Sequence, residues 1–205
     1  MKNNFCTFYL IRHGETEFNV QGITQGHIDS PLTEKGITQA KETADLLKDV
    51  AFDAIFSSDL LRAQRTAEIV RAERDLAIQT TELLRERSFG AGDGKTGEAL
   101  AEYSRIRKTL SDLERMRYKA DDNFESDEEI GTRLLLYMRE IAVAYPHKTI
   151  LLSTHGTILK YFLVHLGELS YAESDKYSIA NGKHLIIECD GVDFIVKDKT
   201  ALVER

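Results

Sequence analysis

The sequence predicts an α/β fold: a three-layer α/β/α sandwich with a mainly parallel mixed sheet and a helical cap insertion. Three observations lead there. Short apolar runs alternate with stretches whose apolar residues recur every three to four positions, the pattern of buried strands joined by amphipathic helices. Near the C-terminus an Asp-Gly pair separates two further short runs, which adds antiparallel pairing at one edge. In mid-chain a glycine-rich and then basic segment interrupts the alternation.

Residues 5–11 are the first apolar run, expected as a strand covered on both faces. Ile37, Ala40, Ala44 and Leu47 then give a helical stripe between Thr33 and Lys48. Residues 52–56 form a second strand, ending in Ser57-Ser58, and Leu60, Ala63, Ala67 and Val70 mark the next helix. Residues 77–80 suit a short third strand. The following segment opens with Gly90, Gly92, Gly94 and Gly97. From Arg85 to Lys119 it holds nine Lys/Arg against six Asp/Glu, in a chain of net charge −7. It reads as a cap insertion at about 86–122 within a single domain spanning 1–205.

Regular patterning resumes at Ser126, which with Glu129 forms a capping box, while Asp127 and Glu128 suit the positive end of the helix dipole. Ile130, Leu134, Met138, Ile141 and Ala142 give that helix its buried stripe. Residues 149–152 are a further strand, and Ile158, Leu159, Phe162 and Leu166 mark the helix after it. Residues 185–188 and 192–196 flank Asp190-Gly191 as a two-residue hairpin, and Asn181-Gly182 forms another tight turn.

The acidic balance argues against a nucleic-acid partner. No stretch approaches a membrane span, and no secretory signal is visible. Cys6 and Cys189 sit in apolar runs as buried free thiols. With no CxxC pair they suggest a reducing, cytoplasmic setting and no metal site.

The chemistry gathers just after the strands. Arg12-His13-Gly14 follows the first, Ser57-Ser58 leads to Arg62 after the second, and Thr154-His155-Gly156 follows the later one. Open α/β sheets bind ligands beyond the carboxyl ends of their strands, so two arginines and two histidines converge on one crevice. Arginine forks suit phosphate oxygens. A histidine with one ring nitrogen held and the other free is a nucleophile. Gly14 lets backbone approach an anion, and the helix N-termini add N–H donors. Glu86, just before the cap, is the expected proton donor, its pKa raised by shielding from water.

These segments resemble the histidine phosphatase superfamily, the phosphoglycerate-mutase-like proteins. The likeness rests on Leu10-Ile11-Arg12-His13-Gly14-Glu15-Thr16, on Gln25-Gly26-His27-Ile28-Asp29 and Pro31-Leu32-Thr33-Glu34-Lys35-Gly36, and on Ser57 through Ala67. It continues in Arg85-Glu86-Arg87-Ser88-Phe89-Gly90 and Ser153-Thr154-His155-Gly156, in the family's order across residues 10–156. The resemblance implies that His13 is phosphorylated, that Arg12, Arg62 and His155 bind the phosphate, and that Glu86 moves the proton. It places Asn19, Gln25, Gly26 and Gly156 on the substrate side. It also implies catalysis without metal or cofactor, on a small phosphorylated metabolite.

The implied enzyme is a phosphoric monoester hydrolase of the histidine acid type. A cofactor-dependent phosphoglycerate mutase and a non-catalytic phosphate-binding relative are the alternatives. Against a mutase, Glu86 and His155 are only 69 positions apart, no Trp is present, and Arg87-Ser88-Phe89-Gly90 departs from the mutase pattern. Gly92 stands where phosphatases often carry an aromatic residue. Arg105, Arg107, Lys108, Arg115 and Arg117 are expected to face a second anionic group of the substrate.

Overall fold

The computed structural model describes residues 4–72 and 74–204, so residues 1–3, 73 and 205 of the expected domain lie outside the described residues. Its main sheet has six strands: β1 (Cys6–Arg12), β2 (Ala54–Ser58), β3 (Ile78–Thr81), β4 (Thr149–Thr154), β6 (His184–Cys189) and β7 (Phe194–Asp198), in the order β3-β2-β4-β1-β6-β7. The first four of that order run parallel, and β6 and β7 add antiparallel pairing. A separate antiparallel pair joins β5 (Tyr177–Ile179) to β8 (Leu202–Glu204).

Side-chain alternation along the central strands makes two cores. Phe8, Leu10, Ile150 and Leu152 point into one, closed by Ile130, Leu134 and Met138 of α6 (Asp127–Ala144) and by Leu159 and Phe162 of α7 (Gly156–His165). Ile11, Ile55 and Leu151 point to the other face, covered by Ala67 and Val70 of α3 (Leu61–Arg71) and by Leu47 after α2 (Glu34–Leu46). Because a strand's residues alternate between faces, apolar side chains on both require helices on both, hence three layers. Each fully buried Leu or Ile contributes on the order of 1.5–3 kcal/mol.

Local signals set the boundaries. Thr33 accepts from the Gly36 N–H and starts α2. Ser126 and Glu129 exchange hydrogen bonds as the expected capping box. The short helix α1 (Glu17–Gln21) has a capping box between Thr16 and Asn19. The cap segment carries α4 (Ala101–Arg107) and α5 (Asp112–Arg117), and a one-turn α8 (Tyr171–Ser174) follows α7. Both cysteines are buried free thiols.

The hairpin differs from expectation. Cys189 pairs with Phe194, so four residues, not two, make the turn. Asp190 explains the extra length: its carboxylate accepts the N–H groups of Val192 and Asp193 at 2.9 and 2.8 Å, closing a wider loop.

Candidate active site

Strand register brings the two histidines together. Arg12 lies opposite Thr154 across the parallel β1–β4 pair, so the next residue of each strand, His13 and His155, emerges side by side. Their ring centroids are 5.2 Å apart, edge to face. The His13 N–H donates to the Thr154 carbonyl at 3.0 Å, fixing the strand ends.

His13 Nδ1 lies 2.7 Å from the Gly14 carbonyl oxygen. A carbonyl only accepts, so Nδ1 carries the proton and Nε2 keeps its lone pair for attack. Burial, and then the charges of Arg62 and Arg12, hold the His13 pKa well below 6.5, against the opposing pull of the Gly14 carbonyl. His155 is shifted the same way, by burial first and by Arg62 next. Both rings are therefore neutral at physiological pH. Neither ring nitrogen of His155 has a hydrogen-bond partner among the described residues. A buried polar ring left unpaired is costly.

Arg62, in the first turn of α3, is 1% exposed. Its guanidinium donates to the carbonyls of Ile28 (2.9 Å) and Gly26 (2.7 Å) and to Asp29 (3.2 Å). Its Nε has no partner among the described residues. Arg12 bonds the Ile179 carbonyl and packs against Gly156, where a Cβ would fall 2.9 Å from its Nε.

Glu86 is 8% exposed and faces Arg12 and Gly156 across a cavity of about 210 Å³. Its carboxylate accepts the N–H groups of Arg87 (2.9 Å), Thr157 (3.0 Å) and Ile158 (3.0 Å). No salt bridge to its flanking arginines forms among the described residues; Arg85 pairs with Asp59 and Arg87 with Asp127.

Two expectations about backbone change. The N-terminal N–H groups of α7 go to Glu86, and those of α3 at Leu61 and Arg62 go to Asp29. Carboxylates of the protein thus occupy the positive ends of these helices, and pocket charge rests on the guanidinium groups. Gly14 has a packing requirement of its own: a Cβ there would sit 2.3 Å from the Gly36 carbonyl oxygen. Its N–H donates to Thr66 at 3.1 Å.

The sequence profile of the histidine phosphatase superfamily (branch 1) matches residues 8–200. The chain belongs to the histidine phosphatase superfamily. PhoE of Bacillus subtilis (strain 168), named an uncharacterized phosphatase, is 34% identical over 160 residues, 77% of this chain and 75% of the relative. The probable phosphoglycerate mutase GpmB of Proteus mirabilis (strain HI4320) is 35% identical over 170 residues, 80% of this chain and 77% of the relative. The solved structure of YhfR from Bacillus stearothermophilus superposes with a TM-score of 0.83 at 32% identity, covering 96% of this chain and 98% of that one.

In this member of the histidine phosphatase superfamily, Asn19 and Gln25 differ in their partners. The Asn19 carboxamide oxygen accepts from the Thr16 N–H and from Asn181 Nδ2. Gln25 is 7% exposed, and its carboxamide oxygen has no partner among the described residues. Gly26 takes φ +50°, and a Cβ there would overlap the Asp93 carboxylate.

Sequence reasoning missed four supporting residues. Asn181 does more than turn the chain: its Nδ2 donates to the His13 carbonyl at 3.1 Å. His27 Nε2 donates to the Glu86 carbonyl at 2.9 Å, and Arg133 donates to the Leu83 and Arg85 carbonyls at 2.9 Å each. Asp93 accepts from His27 and Phe89, tying two loops together. His27 lay inside a quoted motif and Asn181 in a quoted turn; Arg133 and Asp93 bond backbone groups, which leave no sequence pattern. The glycine run also finds its place. Gly94 and Lys95 exchange backbone bonds with Thr24, fastening the run to the loop that holds Arg62.

Among the five cap cations, Arg107 and Arg115 are buried and Lys108 lines an adjoining cavity. Arg105 and Arg117 do not face it. Their side chains are 76% and 63% exposed and pair with Glu102 and Glu128 at the surface.

Proposed function

We propose that this protein is a phosphatase hydrolysing small phosphomonoesters without a metal, through a phosphohistidine on His13. The observation that carries the reading is the neutral His13 ring, its Nδ1–H held by Gly14, beside Arg12, Arg62 and a His155 whose nitrogens are unpaired among the described residues.

Arg12, Arg62 and His155 hold the phosphate and offset charge as it develops in the transition state. His13 Nε2 attacks phosphorus in line with the departing oxygen, and Glu86 gives that oxygen a proton. A water that loses its proton to Glu86 then attacks phosphorus, breaking the P–N bond and releasing phosphate. Asn19, Gln25, Gly26 and Gly156 shape the substrate side.

The experiment is rapid mixing with 4-nitrophenyl phosphate, acid quench, and analysis for an acid-labile phosphoryl group. Wild type accumulates it and His13→Ala does not; turnover without an adduct overturns the reading. A mutase remains the second reading because of the likeness to GpmB. Conversion of 3-phosphoglycerate primed by catalytic 2,3-bisphosphoglycerate decides it.

A further inference from the structure

The orientation of the His13 ring rests on one peptide group. The peptide between Gly14 and Glu15 offers its carbonyl to His13 Nδ1 at 2.7 Å, and its N–H donates to the Gln39 carboxamide oxygen at 2.8 Å. Among the described residues it makes no other hydrogen bond. The peptides on either side are fixed separately. That between His13 and Gly14 gives its N–H to Thr66 and takes Asn181 Nδ2 and the Gly182 N–H on its carbonyl. That between Glu15 and Thr16 gives its N–H to Asn19 and takes the Thr33 N–H.

Helix α2 places Gln39 for this contact. Gly36 lets the first turn of α2 lie against the Glu15 backbone, whose carbonyl a Cβ at position 36 would overlap. One turn on, Gln39 packs beside Gly182, where an added Cβ would fall 2.7 Å from the Gln39 Cβ.

The Gly14–Glu15 peptide has two orientations with opposite chemistry. A peptide that follows glycine turns over at low steric cost. Turned over, it would present the Glu15 N–H to His13 Nδ1 in place of a carbonyl. Nδ1 would then have to accept, the ring proton would reside on Nε2, and the attacking nitrogen would lose its lone pair. Gln39 opposes the reversal. Its oxygen holds the N–H away from the ring, so the peptide turns over only if the carboxamide turns as well. A bonded N–H also makes the carbonyl of the same peptide a stronger acceptor for the ring.

We propose that Gln39 is a positioning residue that selects Nε2 of His13 as the attacking nitrogen, acting through the Gly14–Glu15 peptide. The assignment rests on the phosphatase reading for what that nitrogen attacks.

Nitrogen-15 NMR of the substrate-free protein, labelled at its histidine rings and held at pH 7.5, tests this without turnover. The His13 signals are those lost in His13→Ala. Wild type should show a protonated Nδ1 and a bare Nε2. Gln39→Met and Gln39→Leu both remove the acceptor, and in each the Nε2–H form should appear. Their kcat for 4-nitrophenyl phosphate should fall about tenfold, while inhibition by inorganic phosphate changes by less than about twofold. Gln39→Glu, which as a carboxylate only accepts, should keep the wild-type ring signals. A merely structural Gln39 predicts a lower urea midpoint in the Met and Leu variants with the Nδ1–H pattern intact. That outcome, or an Nε2–H ring in wild type, overturns the proposal. A tautomer that shifts as expected, in a protein that never forms the phosphoryl adduct, sinks the catalytic reading alone. An adduct with an unshifted tautomer removes the role of Gln39 alone.

Discussion

The histidine pocket and the cap cavity both gather arginines, and they differ in the carboxylates beside them: Arg62 lies against the partly exposed Asp29, Arg87 and Arg107 against the buried Asp127. In the pocket, Arg62 keeps its Nε unpaired and His155 keeps both nitrogens unpaired, among the described residues. In the cap, Arg87 and Arg107 share one buried Asp127, and tyrosine rings lie against both guanidinium groups. The first region leaves polar groups waiting for a ligand at a cost in stability. The second ties its guanidinium groups to carboxylates, though the Nε atoms of Arg87, Arg107 and Arg115 are without partners among the described residues as well. The cap cavity shares Thr157 and Lys160 with the smaller cavity beside Arg12 and Glu86.

Substitutions can break that division. The largest effect belongs to His13→Ala, which is expected to lower kcat/KM by about 10⁴-fold or more. Its urea midpoint should be no lower than that of wild type; marked destabilisation means the pocket also carries the fold. Asp127→Ala strands two buried arginines and should cost about 3–5 kcal/mol of stability, read by chemical denaturation. If its main loss is in kcat, the cap belongs to the chemistry.

Glu86→Gln sharpens the proton assignment. Phosphate esters of simple alcohols, whose leaving oxygen needs a proton, should lose about 10²-fold or more in kcat. The loss should be smaller for 4-nitrophenyl phosphate, whose leaving group departs as an anion; equal losses remove the acid role.

The smallest effect is on pH dependence. The folded pKa of His155 lies well below 6.5, so the unfolded chain binds a proton that the folded ring refuses. Stability is kept above pH 6.5 and falls as pH drops below it, by up to about 1.4 kcal/mol per pH unit for this group. Comparing denaturation at pH 7.5 and 5.5, wild type should lose about 1 kcal/mol more than His155→Gln.

How much was legible follows from where the information sits. His13, Arg62 and His155 stood out because each lies just past a strand or at a helix start, and the periodicity that places those elements is written in the apolar residues; Arg12 ends β1, and Glu86 stood out by its place before the cap and in the family motif. The β1 and β4 boundaries shifted by a residue or two for the same reason: Arg12 and Thr154 are polar yet remain in the ladder. The separation of Arg107 from Arg105 was not legible. Both lie on α4 two positions apart, and only the packing of that helix over Tyr161 decides which one turns inward. Asn181 and Arg133 were silent because they work on carbonyl groups that every residue has.

The pairing of β1 with β4 has a kinetic side. These strands lie far apart in the chain, and parallel neighbours of that kind close slowly because loop entropy opposes them. Until they close in register, His13 and His155 are not neighbours and the anion has nothing to grip. Recovery of activity during refolding should therefore trail helix formation, and an anion that needs both histidines would stabilise only molecules that have completed the central ladder.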